Sequence, residues 1–151
     1  LHEHLFEYKT HMMQNYGAGV QACYRGPRLY DTPETQAAVT EVIQWYKKYR
    51  DILNSDMIHL RRPYARDWDG FIHVNPHKKE KGLAMFFNPT HQEITRTIHI
   101  PLYYTGLTQT ARIREKEQKP VTYKLNRNYT VELTVKIPAN GYTWYVVEAA
   151  D

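Results

Sequence analysis

From Tyr129 to Ile137 the chain alternates with a period of two. Tyr129, Val131, Leu133, Val135 and Ile137 fall on one side, and Thr130, Glu132, Thr134 and Lys136 on the other. Successive side chains of a strand point to opposite faces, so this pattern predicts one buried and one wetted face. Ala139-Asn140-Gly141 follows, then a second strand pattern over Tyr142–Glu148. Asn-Gly between two such runs predicts a β-hairpin. Working backwards, further strands are expected at 57–60, 70–75, 83–88, 94–100, 111–115 and 121–125. Asn75-Pro76, Asn88-Pro89, Pro101 and Gly106 punctuate them. Strands recurring about every 8–12 residues with such turns predict an antiparallel sandwich or barrel.

Before residue 56 the period changes. Leu5, Tyr8 and Met12 make a helical stripe that Gly17 and Gly19 end. Val20-Gln21-Ala22-Cys23-Tyr24 reads as a short buried strand, broken by Gly26-Pro27. Asp31-Thr32-Pro33-Glu34 then predicts a helix start with Asp31 as cap. That helix runs to about Leu53, with Val39, Val42, Ile43, Tyr46, Tyr49 and Leu53 on one face. Lys47, Lys48 and Arg50 crowd its last turns, which suits the helix dipole. The expected fold class is α+β: a helix–strand–helix front over residues 1–56, followed by an all-β antiparallel sandwich over 57–151. The front is one β/α unit with a preceding helix, too small for a core of its own, and its natural host is a parallel β/α structure.

Composition adds bounds. The 151 residues are 42% hydrophobic and 24% charged, as in a soluble globular protein. The net charge of +4 is scattered, with short clusters at Arg61-Arg62 and Lys78-Lys79-Glu80-Lys81. Solvated loops account for these better than a nucleic-acid surface does, so no nucleic-acid partner is expected. No apolar run approaches the roughly 20 residues that span a bilayer, and no membrane partner is expected. The single cysteine, Cys23, excludes an intrachain disulfide. The opening Leu1-His2-Glu3-His4 reads as helix interior, so residue 1 is taken as an internal cut.

Trp45 to Leu53, followed by Met57-Ile58-His59-Leu60-Arg61-Arg62-Pro63, resembles the junction of last barrel helix and sandwich in alpha-galactosidase-like glycoside hydrolases. Residues 70–148, with Leu102-Tyr103-Tyr104-Thr105-Gly106-Leu107, resemble the sandwich that follows, and Gly17 to Thr32 the last barrel strand and its loop. The resemblance implies the last β/α unit of a barrel plus a C-terminal sandwich. It also implies an upstream barrel of the same polypeptide as partner, and a carbohydrate substrate bound through that parent. A periplasmic or extracellular location is implied as well. The family's catalytic carboxylates would lie upstream of Leu1, so this fragment is expected to lack them. Barrel active sites lie at the C-terminal ends of the strands. Tyr24, Arg25 and Arg28 are therefore the candidates to line a sugar subsite.

Other chemistry is weaker. Asp67-Trp68-Asp69 offers two acids on one strand face, but its neighbours Arg66 and Gly70 suit a charged turn. Trp68, if exposed, is a candidate sugar contact, although packing against the helical front suits it better. The eight histidines lack zinc-ligand spacing, and neither metal nor cofactor is expected. Cys23 has no base beside it in sequence, and Asn128-Tyr129-Thr130 matches a glycosylation sequon. Two other function classes stand beside the hydrolase fragment. One is an independent carbohydrate-binding β-sandwich using exposed Trp68, Tyr103 or Tyr104. The other is a basic nucleic-acid-binding β domain.

Overall fold

The computed structural model of the chain describes residues 5–19, 32–60 and 67–150. Two helices come first, α1 (Leu5–Gly17) and α2 (Pro33–Leu53). Eight strands follow: β1 (Asp56–His59), β2 (Asp69–Val74), β3 (Gly82–Phe87), β4 (Ile94–Pro101), β5 (Thr110–Glu115), β6 (Val121–Lys124), β7 (Thr130–Ile137) and β8 (Tyr142–Glu148). Each lies within a residue or two of its expected span. The expected strand at 20–24 and the loop to Asp31 lie outside the described residues.

Local chemistry explains the helix ends. The cap of α2 is Thr32, not Asp31. The Thr32 hydroxyl accepts from Thr35 N–H at 3.3 Å while the Thr35 hydroxyl accepts from Thr32 N–H at 2.9 Å, a reciprocal box. At the end of α1, Gly19 takes φ +75° and donates to Tyr16 O. Gly17 lets the helix touch the sheet, since a Cβ there would stand 2.2 Å from Met85 Sδ.

The strands form two antiparallel sheets, one in the order β1-β2-β3-β8-β5-β6 and the other β4-β7. Asn140-Gly141 therefore does not close a hairpin. β7 pairs with β4, from Ile94 opposite Ile137 to Pro101 opposite Thr130, and β8 pairs with β3 and β5. A two-residue hairpin turn of the type Asn-Gly favours needs positive φ at both residues. Only Asn140 has it, at +53°, and Gly141 donates back to Pro138 O. The turn carries the chain from one sheet to the other.

The middle of the large sheet, β2, β3 and β8, is buried on both faces. Ile72, Ala84, Phe86, Ala111, Ile113, Tyr145 and Val147 meet Ile98, Ile100, Val131, Leu133, Val135 and Ile137 of the small sheet. On the opposite face Phe71, Leu83, Met85, Phe87, Trp144 and Val146 meet Met12 and Met13 of α1 and Val39, Val42, Tyr49, Ile52 and Leu53 of α2. The result is three layers: helices, six strands, two strands. All six residues of β3 are buried, as expected of a strand covered on both sides.

Candidate functional site

Among the described residues several places gather polar or aromatic side chains. The first lies on the small sheet. A 3₁₀ turn, Tyr103–Thr105, leaves β4, and Thr105 fixes it by donating through its hydroxyl to Leu102 O. Tyr103 and Tyr104 are 62% and 64% exposed, more than any other large apolar side chain among the described residues. Their rings stand perpendicular, with centroids 5.1 Å apart. Tyr129, at the start of β7, adds a third ring 5.5 Å from Tyr103. Its backbone is left-handed, φ +61°, and its carbonyl accepts from Leu102 N–H at 2.9 Å, tying the two loops together. Beside Tyr129 a hollow of about 570 Å³ is lined by Thr108, Gln109, Asn126 and Arg127. Sequence reasoning singled out Tyr103 and Tyr104 but not Tyr129, whose place beside Tyr103 depends on the pairing of β4 with β7.

The second place joins α2 to the turn between β5 and β6. Glu117 accepts from Tyr49 in a short hydrogen bond and from Lys48 Nζ at 2.9 Å, and it pairs with Arg114 at 3.5 Å. Arg114 also donates to the Tyr49 hydroxyl at 3.1 Å. Burial works against charge on Glu117, but the hydrogen bonds from Tyr49 and Lys48 and the nearby cations outweigh it. The carboxyl is held below its ordinary 4.5. Burial, reinforced by Glu117, raises Tyr49, which keeps its proton and remains a donor. Next to this network, Lys79, Lys81, Arg112 and Arg114 line a basic hollow with Glu148. Lys81 is committed to Pro76 O and Lys78 O, and Arg114 to the network.

The third is a hollow of about 400 Å³ between α1 and the turn after β7. Glu7, His11 and Asp69 line it, with Asn88 and Asn140. The Asn88 amide is spent on Gln92 O, Ile137 O and Pro138 O, and its oxygen on Thr90.

The expected substrate residues Tyr24, Arg25 and Arg28 lie outside the described residues. Trp68 is not on a surface. It is 8% exposed, lies between the two sheets, and meets Phe86 edge-on at 5.8 Å. It therefore offers no free ring face to a sugar, and its packing is within the sandwich, not against the helices. Asp67 lies just before β2, and Asp69 is the first residue of that strand, opposite Phe87. Each accepts from the backbone N–H that follows it, at 2.8 Å, and Asp67 also pairs with Arg96 at 3.3 Å. Among the described residues no group of three or more His, Cys, Asp or Glu side chains is placed to hold a metal. No described helix is long and apolar enough to cross a membrane.

No family model matches this sequence, and no curated protein does. Solved structures match in fold. Alpha-galactosidase I from Mortierella vinacea superposes with a TM-score of 0.62 at 14% identity, over 95% of this chain and 35% of that one. A β-L-arabinopyranosidase from Geobacillus stearothermophilus gives 0.63 at 12%, over 97% and 31%. An alpha-amylase from Geobacillus thermoleovorans gives 0.62 at 12%, over 97% and 34%. The chain spans about a third of the length of each. The likeness expected from sequence is present at the level of fold: this chain folds as a portion of alpha-galactosidase-like glycoside hydrolases does, and an amylase shares that fold.

Proposed function

We propose that this chain is the non-catalytic C-terminal part of a carbohydrate-active glycoside hydrolase, with its sandwich bracing a preceding β/α barrel. One observation carries the reading. The helices and both sheets match solved glycosidases as a single unit, over 95–97% of this chain but only 31–35% of theirs. The helical front supports it too, since α1 and α2 dock on the sheet as the final helices of a barrel would. Residues 1–56 are then the end of the barrel and 57–151 the sandwich. A glycosidase needs two carboxyl groups flanking the scissile bond. Asp67 and Asp69, the acid pair that the sequence offers on one strand face, are engaged with the backbone. The acid and its partner would stand upstream, and Tyr24, Arg25 and Arg28 would approach the sugar from the last barrel loop.

The test is release of nitrophenol from a panel of aryl glycosides. The 151 residues alone should turn over none, and the complete polypeptide at least one. Turnover by the 151 residues that disappears with Asp69→Asn would overturn the non-catalytic reading. No turnover by the complete polypeptide would overturn the hydrolase reading.

A further inference from the structure

We propose that Tyr103, Tyr104 and Tyr129 form a platform that binds a neutral glycan chain. The rings would stack on the C–H faces of pyranose units, and the adjoining hollow would bond their hydroxyls. This goes beyond the bracing role and does not depend on it. The platform would act whether or not a barrel precedes this chain.

Four observations converge. Among the described residues the two most exposed large apolar side chains are consecutive and held at 5.1 Å, where aromatic surface would ordinarily be buried or scattered. Tyr129 is the second. A left-handed backbone suits Gly or Asn, and a bulky residue there costs about 1–2 kcal/mol. Asn128 sits next door, yet the left-handed position carries the tyrosine, whose ring then stands beside Tyr103. The third is the hollow of about 570 Å³, with amide, hydroxyl and guanidinium groups from Gln109, Asn126, Thr108 and Arg127. Aromatic faces beside a few convergent polar groups match a sugar, which has one apolar face and a polar rim. The fourth is position. The platform grows from β4 and β7, the layer opposite the helices, so helix docking does not cover it.

Leu102 and Leu125 are buried and Leu107 is half-buried, so little aliphatic surface adjoins the rings, which disfavours a protein partner. The rings meet at 90° and 71°, unlike the parallel faces that take successive bases, and only Lys124 and Arg127 among the lining residues are cationic.

The experiment is affinity electrophoresis of the full chain through gels containing galactomannan, soluble starch or xylan, with single-stranded DNA and dilution series in parallel. At least one polysaccharide should retard the chain saturably. Tyr103→Ala with Tyr104→Ala should weaken that retardation at least tenfold. Tyr129→Gly should weaken it too; glycine relieves the left-handed backbone but loses the packing of the ring on the sandwich core, so retardation is compared at a temperature where both chains are folded. The proposal is overturned by no retardation in any of the three gels, or by retardation that the double variant keeps. It is overturned equally by a folded Tyr129→Gly chain that is retarded as strongly as the parent. Salt-sensitive DNA binding, or dimerisation on concentration, lost in the double variant without any polysaccharide binding, would reassign the surface to nucleic acid or to a second copy.

Discussion

Asn88 shows how much a single buried side chain can hold. Its NH₂ faces three carbonyl oxygens, two of them at the end of β7, and its oxygen accepts from the backbone and hydroxyl of Thr90. It joins the loop after β3 to the turn that carries the chain between sheets. Sequence marked it only as the Asn of an Asn-Pro turn, because its partners are Ile137 and Pro138, far along the chain. Replacing it strands buried acceptors, which costs about 1–3 kcal/mol. Asn88→Ala should lower Tm in a thermal melt by about 2–4 °C for each of those kcal/mol. A variant that melts like the parent would show that water satisfies these carbonyls equally well. Trp68 teaches the same lesson from the apolar side: its neighbours in sequence are charged, yet its ring fills the space between the sheets.

Between elements, the contact of α2 with the sandwich combines an aromatic cluster and an ionic latch. Trp45, Tyr49 and Trp144 meet with centroids 5.2–6.1 Å apart, and Glu117 closes over Lys48, Tyr49 and Arg114 at the edge. The aromatic burial supplies most of the attachment, since each fully buried large apolar side chain contributes about 1.5–3 kcal/mol. Glu117 is half exposed, and its pairs contribute about 0.2–1 kcal/mol. The latch has a definite pH signature. The folded-state value of Glu117 is depressed, so its contribution is present above the unfolded value and lost as pH falls through the folded one. Glu117→Gln should therefore melt below the parent from neutral pH down to about 5, and the gap should close below about pH 4. A gap that stays constant through acid would assign the effect to something other than the carboxylate charge. Lys48 has the opposite sign: its value is raised by Glu117, so its share is lost only at alkaline pH.

At the scale of the whole molecule, the helices and the sandwich share a core. Phe71, Leu83, Met85, Phe87, Trp144 and Val146 are buried by α1 and α2. A change of period near residue 56 therefore marks where helices give way to strands, not where one hydrophobic core ends. Residues 57–151 expressed alone should expose that face, bind a hydrophobic dye and self-associate. A monomeric, dye-free sandwich with a cooperative melt would show that 57–151 stands as an independent module. The covering layer also gives the proposed bracing role its physical content. Under that proposal, helices ending a barrel and completing the core of the sandwich would couple the stability of the two.

What the sequence determined by itself was local. Period, turn residues and caps depend on neighbours a few positions apart, so the spans of α2 and of the eight strands, and the end of α1, were legible to within a residue or two. The alternation of β7 appears unchanged as buried Val131, Leu133, Val135 and Ile137 between exposed polar residues. Two exposed tyrosines of the candidate platform were legible for the same reason. Partnership was not. Asn140-Gly141 marked a turn correctly but not what it connects, because backbone angles at Gly141 and the pull of β3, β4 and β5 decide that β7 and β8 part. Tyr129 joins Tyr103, and Trp68 leaves the surface, through contacts between segments distant in the chain. Such contacts exist only once the strands have paired and the layers closed, and tertiary structure alone could supply them.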